Sequence, residues 1–219
     1  ARVQGSIEIG PRGRPELAGD GITVKVIGIV GGIGSGKSEV ARLLEQMGGR
    51  LVSGDETGHE ALRVPNLKDR IVQRWGEQIL NEQKEIDRKK LGVIVFQNPE
   101  ERAHLEQIVH PWIKDELKRK LDELRSQAEA RFLILDAAIL LEAGWNDVCD
   151  QVIFVEVTDE MRYRRLQETR GWSREEAQNR ELAQWPLQRK KEHADFVLDN
   201  VGTREDLYRK VEELVQQIV

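Results

Sequence analysis

Apolar runs rich in β-branched residues recur along the chain and predict buried strands. The runs are TVKVIGIV at 23–30, RFLILD at 131–136, QVIFVEV at 151–157 and FVL at 196–198, with a shorter one at 50–52. Runs without polar alternation are typical of parallel strands that are buried on both faces of a sheet. We therefore expect a parallel sheet that is covered by helices on both sides.

Helical periodicity fills the intervals between these runs. Segments 37–47 and 111–128 each place apolar residues on one face of a helix. Capping boxes predict two further helix starts, at Ser173 and at Thr203. Strands that alternate with helices indicate an α/β fold with a doubly wound, mostly parallel sheet.

One long interval breaks this alternation and predicts an inserted domain. Residues 56–130 have a mainly helical pattern and no strong strand. We expect this helical insert to interrupt a core made of 23–55 and 131–219. Residues 1–22 are rich in Gly, Pro and Arg and show no sustained periodicity. We expect an N-terminal extension there, outside the fold.

Composition narrows the classes of partner. The chain has 219 residues, a net charge of −5 and 33% charged residues, which argues against a nucleic-acid-binding surface. No apolar run approaches the roughly 20 residues of a membrane span. A single cysteine, Cys149, fits a reducing compartment. The sequence predicts a cytoplasmic protein with no nucleic-acid or membrane partner, and it leaves the oligomeric state open.

The first strong apolar run leads into a phosphate loop. Residues 31–38, GGIGSGKS, fit the pattern G-x-x-x-x-G-K-[ST] without a mismatch. Lys37 can reach the β- and γ-phosphates of a nucleotide, and the Ser38 hydroxyl can ligate Mg²⁺. Four glycines are expected to take positive φ, so that their N–H groups and the following helix end face one anion, namely Gly31, Gly32, Gly34 and Gly36.

Several features of the sequence distinguish between GTPases, motor proteins and small-molecule kinases, all of which have phosphate loops. No guanine-reading N-K-x-D occurs, and Asp55 follows Gly31 too closely to belong to a GTPase switch. Motors and transporters usually need a longer chain. Small-molecule kinases put an acid after the second strand, so Asp55 is the candidate for accepting the acceptor's proton. The alternative is that Asp55 caps the next helix. Asp136 ends a strand where an acid often holds Mg²⁺ through water.

An arginine-rich stretch follows the strand at 151–157. Mobile cations can stabilise the charge of a phosphoryl group in transfer. We expect two or three of these arginines to face nucleotide and the rest to face solvent. The alternative is a charged helix pair whose arginines pair with glutamates. The arginines are Arg162, Arg164, Arg165, Arg170, Arg174 and Arg180.

From about Val24 to Val219 these motifs resemble the dephospho-coenzyme A (dephospho-CoA) kinase family. The combination of "IDR", "LE-x-I-x-HP" and "AD-x-V-x-x-N" carries the resemblance beyond the phosphate loop. The matching segments are GGIGSGKSEVA (31–41), GDETGHEAL (54–62), RWGEQIL (74–80), IDRKKL (86–91), VF (95–96), LEQIVHPWI (105–113), ILLEAG (139–144) and ADFVLDNVG (194–202).

The resemblance implies that ATP phosphorylates the 3′-hydroxyl of dephospho-CoA by in-line transfer, with Mg²⁺. It implies a lid over about 160–190 and an acceptor-binding role for the insert. The implied catalytic residues are Asp55, Lys37 and Arg165, and the implied Mg²⁺ ligands are Ser38 and Asp136. The implied ATP-binding residues are Gly32, Ile33, Gly34, Ser35, Gly36, Lys37, Ser38, Glu39, Arg170, Asn200 and Gly202. The implied acceptor-binding residues are Asp55, His59, Arg88, His110 and Glu142.

Two of the acceptor-binding residues have structural alternatives. His110 precedes Pro111 and could cap a helix instead of contacting substrate. Arg88 could pair with Asp87 or with glutamates of the insert.

Four positions depart from the pattern of the family. Ser53 stands where an acid is common, and Ala138 where a proline is common. Thr169 stands where a lid arginine is expected, with Arg170 beside it, and Arg162 replaces a common glutamine. One residue along a helix turns a side chain by about 100°. Either Arg170 reaches round to the nucleotide or another lid arginine does.

Two other functions compete with this one. A phosphate-loop kinase could act on a nucleoside monophosphate or on a small hydroxy acid such as shikimate or gluconate. A nucleotide-binding regulator without catalysis is suggested by Ser53 and the altered lid.

Overall fold

A computed structural model describes residues 7–11, 24–127 and 130–219 of the chain. The chain divides into two compact units, and each is described by itself. The first unit contains Ala1–Val52 and Leu121–Val219, and the second contains Ser53–Lys120. None of the helices in the described ranges is both long enough and apolar enough to cross a membrane.

A six-stranded sheet forms the centre of the first unit. Its order is β1-β6-β5-β2-β4-β3, so the strand that leads into the phosphate loop, β2, lies inside the sheet. The strands are β1 (Glu8–Ile9), β2 (Lys25–Gly31), β3 (Gly49–Ser53), β4 (Phe132–Asp136), β5 (Gln151–Glu156) and β6 (Phe196–Asp199).

The register of the sheet is parallel around β2. Ile29 of β2 lies opposite Asp136 of β4 and Ile153 of β5. Strand β5 is in turn parallel to β6, with Ile153 opposite Phe196. The predicted α/β fold with a mostly parallel sheet is confirmed.

Strand β1 corrects the prediction for the N-terminal segment. Glu8 and Ile9 pair antiparallel with β6, and the Gly10 N–H donates to the Asp195 carbonyl at 2.7 Å. The expectation that residues 1–22 lie outside the fold is therefore wrong for this strand. An edge strand offers unpaired backbone groups to any extended segment, and two residues are too few to show a period in the sequence. Residues 1–6 and 12–22 lie outside the described ranges.

Helices connect the strands and build the second unit. The predicted starts at Ser173 and Thr203 are confirmed as the N-caps of α7 and α9, each with a complete capping box. The helices are α1 (Lys37–Gln46), α2 (Gly54–Ala61), α3 (Pro65–Trp75), α4 (Arg88–Gln97), α5 (Pro99–Ser126), α6 (Asp159–Arg170), α7 (Arg174–Glu181), α8 (Leu187–Glu192) and α9 (Arg204–Ile218).

Helices α1 and α9 cover one face of the sheet. Leu44 of α1 and Leu214 of α9 are fully buried in a cluster with Ile27 and Ile134 of the strands. Residues of the opposite face are buried as well, among them Val26, Leu133, Leu135, Val152 and Phe154. Burial on both faces is the physical reason for the near-continuous apolar runs.

The second unit is helical, and its buried apolar residues include Leu67, Ile71, Trp75, Leu91, Val95, Val109, Ile113 and Leu117. Its longest helix differs from the prediction. The sequence suggested a helix from 111 to 128, yet α5 begins at Pro99 and continues through Pro111. A proline inside a helix costs about 3 kcal/mol. The apolar residues on both sides of it keep helical spacing and are buried, which offsets that cost.

Candidate active site

The phosphate loop joins the end of β2 to the start of α1. Gly34 and Gly36 have φ of 79° and 92°, and Gly36 is the N-cap of α1. Residues with a side chain rarely adopt this left-handed conformation, so these two positions require glycine. Positive φ was also predicted for Gly32, which is wrong. A Cβ atom at Gly32 would lie 2.8 Å from Arg162 Nη1, so a side chain there would have to displace the Arg162 guanidinium.

The two side chains that end the motif lie on the first turn of α1. Lys37 Nζ donates to the Gly31 carbonyl at 3.1 Å and to the Gly32 carbonyl at 3.0 Å. Ser38 is exposed. The Lys37 ammonium therefore lies against the loop itself, where an incoming phosphate would compete with two carbonyl oxygens for it.

Asn200 and Arg165 hold the phosphate loop through hydrogen bonds to its backbone. Asn200 is 8% exposed, and its Nδ2 donates to the Ser35 carbonyl at 2.7 Å. Arg165 donates from Nη1 to the Ser35 carbonyl at 3.4 Å and from Nη2 to the Asn200 carbonyl at 3.2 Å. A Cβ atom at Gly36 would collide with the Asn200 amide. The resemblance implied an ATP contact for Asn200, and the structure uses its amide to brace the loop.

Arg162 is buried, contrary to the expectation that each lid arginine faces either nucleotide or solvent. Its guanidinium is paired with Asp159 at 2.8 Å and with Glu181, and Nη1 donates to the Ile33 carbonyl at 3.3 Å. Burial disfavours its charged form, but the hydrogen bonds to the two acids raise the pKa of Arg162 above its ordinary value. A permanent charge therefore lies buried beside the phosphate loop.

Three other arginines of the same stretch lie over aromatic rings. Arg170 and Arg180 lie 4.9 Å and 4.2 Å from the centroid of the Trp172 ring. Arg174 lies 4.7 Å from the ring of Tyr163. Cations at such distances are attracted by the ring face. Arg170, which follows the position where the family pattern has an arginine, thus has its guanidinium on Trp172.

Asp136 and Ser38 are the predicted Mg²⁺ ligands. Asp136 ends β4 half-buried, beside the strand that leads into the phosphate loop. Within the described ranges there is no group of three or more His, Cys, Asp or Glu residues that could hold a metal. A hydroxyl and a carboxylate nevertheless suit Mg²⁺, which takes most of its remaining oxygen ligands from phosphates and water. The two residues fit an ion that arrives with a nucleotide.

Asp55 lies on the first turn of α2, in the second unit, and is exposed. The cap of this helix is Ser53, whose Oγ accepts from the Glu56 N–H at 3.1 Å. The alternative that Asp55 caps the helix is therefore wrong. The Asp55 carboxylate is not needed to begin α2, and the unusual residue at position 53 has a structural role.

His59 and Arg88 form a polar pair within the second unit. His59 lies one turn after Asp55 on α2, and its Nδ1 is 3.5 Å from Arg88 Nη1. Burial and the positive charge of Arg88 lower the pKa of His59. Asp87 instead caps α4, accepting from the Lys89 N–H at 2.9 Å. The structure pairs Arg88 with His59, not with Asp87.

His110 and Glu142 have structural surroundings of their own. His110 lies inside α5, so the capping alternative is wrong, and burial lowers its pKa. In the first unit, Glu142 Oε1 accepts from the Trp185 N–H at 2.9 Å and lies 2.8 Å from Lys190 Nζ. Lys190 is 1% exposed. Glu142 therefore neutralises a buried lysine.

Glu39 and Gly202 lie at two helix starts. Glu39 pairs with Arg42 and, at 3.1 Å, with Arg204. The hydrogen bond from Arg42 lowers the pKa of Glu39, so the carboxylate is ionised in the neutral range. Gly202 has a φ of 111° just before the cap residue Thr203.

Sequence reasoning missed the residues that hold the predicted ones in place. Glu181 and Lys190 are examples, since each pairs with a residue that is far away along the chain. Ordinary charged residues on helices give no local signal for such pairs. The capping role of Ser53 could have been found, because a serine directly before a first turn that contains two acids is a common N-cap.

A phosphate loop on a central parallel strand, with Lys37 and Ser38 at the helix start, defines a phosphate-loop nucleotide-binding protein. Comparison with known families narrows the class. The profile of the family described as dephospho-CoA kinase matches residues 25–206. The chain belongs to the dephospho-CoA kinase family, as the sequence motifs predicted.

Individual relatives agree with the family match. The dephospho-CoA kinase of Geobacillus kaustophilus is 38% identical over 192 residues, covering 87% of this chain and 95% of the relative. That of Geobacter sulfurreducens is 41% identical over 192 residues, covering 87% of this chain and 97% of the relative.

Two solved structures are similar over nearly the same length. The protein TT1252 from Thermus thermophilus has a TM-score of 0.73 at 34% identity, covering 90% of this chain and 99% of that one. A dephospho-CoA kinase from Campylobacter jejuni has a TM-score of 0.67 at 26% identity, covering 88% and 96%.

Proposed function

We propose that this kinase transfers the terminal phosphoryl group of ATP in line to the 3′-hydroxyl of dephospho-CoA, giving CoA. The observation that carries the proposal is an intact phosphate loop in a chain of the dephospho-CoA kinase family. The loop's N–H groups and the positive end of α1 bind the phosphates. The loop residues proposed to bind ATP are Gly32, Ile33, Gly34, Ser35, Gly36, Lys37, Ser38 and Glu39.

Lys37 is proposed to exchange its two loop carbonyls for the β- and γ-phosphates. Its present hydrogen bonds, at 3.1 and 3.0 Å, are replaced by bonds to a more negative acceptor, which favours the exchange. Arg165 already contacts the loop backbone and is the lid arginine proposed to act with Lys37. Both side chains stabilise charge on the phosphoryl group in transfer.

Asp55 is proposed to accept the proton of the 3′-hydroxyl. The support is its exposed carboxylate on the first turn of α2, which Ser53 leaves free of the capping role. For the reaction, the Asp55 carboxylate must lie within hydrogen-bond reach of the acceptor hydroxyl. A carboxylate so positioned orients the hydroxyl toward the phosphorus.

Ser38 and Asp136 are proposed to hold the Mg²⁺ that accompanies ATP, Ser38 directly and Asp136 through water. When bound, the ion neutralises part of the negative charge on the phosphates. The two residues contribute oxygen ligands from the start of α1 and the end of β4.

The remaining assignments are proposals of the same kind. We assign residues 23–55 and 131–219 to the nucleotide-binding core, with the lid over about 160–190, and residues 56–130 to the acceptor-binding insert. The residues proposed to bind ATP also include Arg170, Asn200 and Gly202. Those proposed to bind the acceptor are His59, Arg88, His110 and Glu142. The position of His59 one turn after Asp55 supports its assignment. A cytoplasmic location remains a prediction.

The two competing functions have less support. Membership of the family and the helical second unit favour a long acceptor over a nucleoside monophosphate or a small hydroxy acid. A regulator without catalysis was suggested by Ser53, but that residue caps α2.

An acceptor panel tests the proposal directly. ADP release would be followed with ATP, Mg²⁺ and, in separate reactions, dephospho-CoA, a nucleoside monophosphate, shikimate or gluconate. We expect turnover with dephospho-CoA. Turnover with a nucleoside monophosphate alone would refute the acceptor, and ATP binding without turnover on any acceptor would favour the regulator.

Substitution of Asp55 by Asn tests its role as the base. The change keeps the size of the side chain and removes its charge, so kcat should fall by roughly 10²–10⁴-fold while ATP affinity stays nearly unchanged. Lys37→Ala is the contrast, since it should weaken ATP binding as well. If Asp55→Asn lowered kcat and ATP affinity equally, a structural role for Asp55 would be the better explanation.

A further inference from the structure

Helix α6 lies directly against the first half of the phosphate loop. A Cβ atom added at Gly32 would be 2.8 Å from Arg162 Nη1, and one added at Gly34 would be 3.0 Å from the Arg162 carbonyl oxygen. The side chain of Leu166, one turn later on α6, is buried and would be 2.9 Å from that second Cβ atom. Both the backbone and the side chain of Arg162 therefore border the loop.

The Arg162 guanidinium bridges three acceptors in the first unit. Its Nη1 donates to the Ile33 carbonyl at 3.3 Å and also to Glu181 of α7, and its Nη2 donates to Asp159 at 2.8 Å. Tyr163 Oη donates to the other oxygen of Glu181 at 3.0 Å. A planar, buried guanidinium that donates in several fixed directions has little freedom to turn. The contact with the loop carbonyl is therefore fixed by α6 and α7 together.

The Ile33 carbonyl belongs to the same peptide unit as the Gly34 N–H. A trans peptide unit is planar, so its carbonyl and its N–H point in opposite directions. The hydrogen bond that holds the carbonyl toward Arg162 thus also directs the N–H away from Arg162. Backbone N–H groups of a phosphate loop are the donors that bind phosphate oxygens. The orientation of one such donor therefore depends on Arg162.

Arg165, one turn later on α6, has partners of a different kind. It donates to two neutral groups, the carbonyls of Ser35 and Asn200, at 3.4 and 3.2 Å. A phosphate is a stronger acceptor than a carbonyl and competes with them. The charge of Arg162, by contrast, is already compensated by two carboxylates, which a phosphate would have to displace. We therefore expect Arg162 to stay with the loop backbone when a nucleotide binds.

We propose that Arg162 is a positioning residue, which holds the peptide between Ile33 and Gly34 so that its N–H faces the nucleotide phosphates. Glu181 of α7 in turn holds Arg162 in place. The inference rests on the function proposed above, in which the loop binds ATP. Arg162 replaces a glutamine that is common in the family, and an uncharged amide would not form this ion pair. The ion pair that links α7 to the loop thus distinguishes this chain from the pattern of the family.

Substitution of Arg162 by methionine removes its donors and keeps an unbranched side chain. The single change leaves Glu181 without its partner, which lowers stability. The variant that carries both Arg162→Met and Glu181→Gln avoids this loss, since neither charge of the pair remains, and it is the principal test. Arg162→Lys keeps the charge and a donor group. Arg164→Gln, which removes a guanidinium from an exposed position of the same helix, is the matched control.

Two measurements separate a positioning role from a merely structural one. Calorimetry with MgADP gives the dissociation constant and the stoichiometry of binding, at a temperature where circular dichroism shows each variant to be folded. Initial rates give kcat and the KM of ATP and of dephospho-CoA. A structural role lowers the folded fraction, and with it the stoichiometry and kcat. A misdirected loop N–H raises the dissociation constant of ADP and the KM of ATP at full stoichiometry.

Arg162→Met and the double variant should bind ADP about tenfold more weakly and raise the KM of ATP by a similar factor, as for a lost hydrogen bond to a charged group. The KM of dephospho-CoA should not change. At saturating ATP, kcat should fall less than about threefold, because a loop donor binds phosphate both before and during transfer. Glu181→Gln alone should weaken ADP binding by about threefold. Arg162→Lys should recover most of the ADP affinity, and Arg164→Gln should bind ADP like the wild type.

Three results would overturn the inference. Wild-type ADP affinity in the double variant would show that Arg162 does not orient the loop. A lower stoichiometry at an unchanged dissociation constant would assign Arg162 to stability alone. Equal increases in the KM of ATP and of dephospho-CoA would indicate a change that is not specific to the loop. If the wild-type chain neither binds ADP nor phosphorylates dephospho-CoA, the proposed function fails instead.

Discussion

The buried guanidinium of Arg162 makes a quantitative prediction about stability. Its side chain is 3% exposed and is paired with two acids of different exposure, Glu181 at 22% and Asp159 at 66%. Tyr163 Oη also donates to Glu181 at 3.0 Å. The perturbations are Glu181→Gln and Asp159→Asn, which remove one charge each and preserve the size of the side chain.

The two variants should differ in cost because solvent screens the two pairs differently. Removal of one partner of a buried ion pair costs about 3–5 kcal/mol, because the other charge stays buried without compensation. Glutamine still offers an oxygen to Arg162 and Tyr163, so we expect about 2–4 kcal/mol for Glu181→Gln. The Asp159 pair is exposed on one side, and such pairs contribute about 0–1 kcal/mol.

Urea denaturation followed by circular dichroism measures the free energy of unfolding of each variant. A double-mutant cycle uses the single variants Arg162→Gln and Glu181→Gln and the variant that carries both changes. The double variant should lose less free energy of unfolding than the two single variants together, since it leaves no unpaired buried charge. Equal losses for Glu181→Gln and Asp159→Asn would refute the argument from burial. Strict additivity in the cycle would refute the pairing itself.

Two further predictions concern titratable groups. Arg88→Gln removes the positive charge beside His59, so the pKa of His59 should rise toward its ordinary value, measured by NMR titration of the ring; an unchanged or lower pKa would contradict the pairing. Burial, with nearby Asp150 and Asp147, raises the pKa of Cys149 to about 12, so the folded chain should react with a thiol reagent at pH 8 far more slowly than the urea-unfolded chain. Rapid reaction of the native chain would show that the thiol is accessible.

The sequence by itself determined the features that depend on neighbouring residues. The phosphate loop, the strands and the capping boxes at Ser173 and Thr203 are local patterns, and the fold class followed from them. The motifs in sequence order were also sufficient to predict the family. Such features can be read from a sequence because their geometry is determined within a few residues.

Only the tertiary structure determined the contacts that individual side chains make. The sequence places Arg162 in the lid stretch and assigns Asn200 and Glu142 to ligands. Their contacts in the structure are with Glu181, Ser35 and Lys190, which are 19, 165 and 48 positions away in the sequence. Strand β1 was not predicted, because it forms only by pairing with the edge strand β6. A continuous α5 through Pro111 depends on burial of its apolar face. These outcomes are set by long-range packing and by the cost of burying a charge, and no local pattern encodes either.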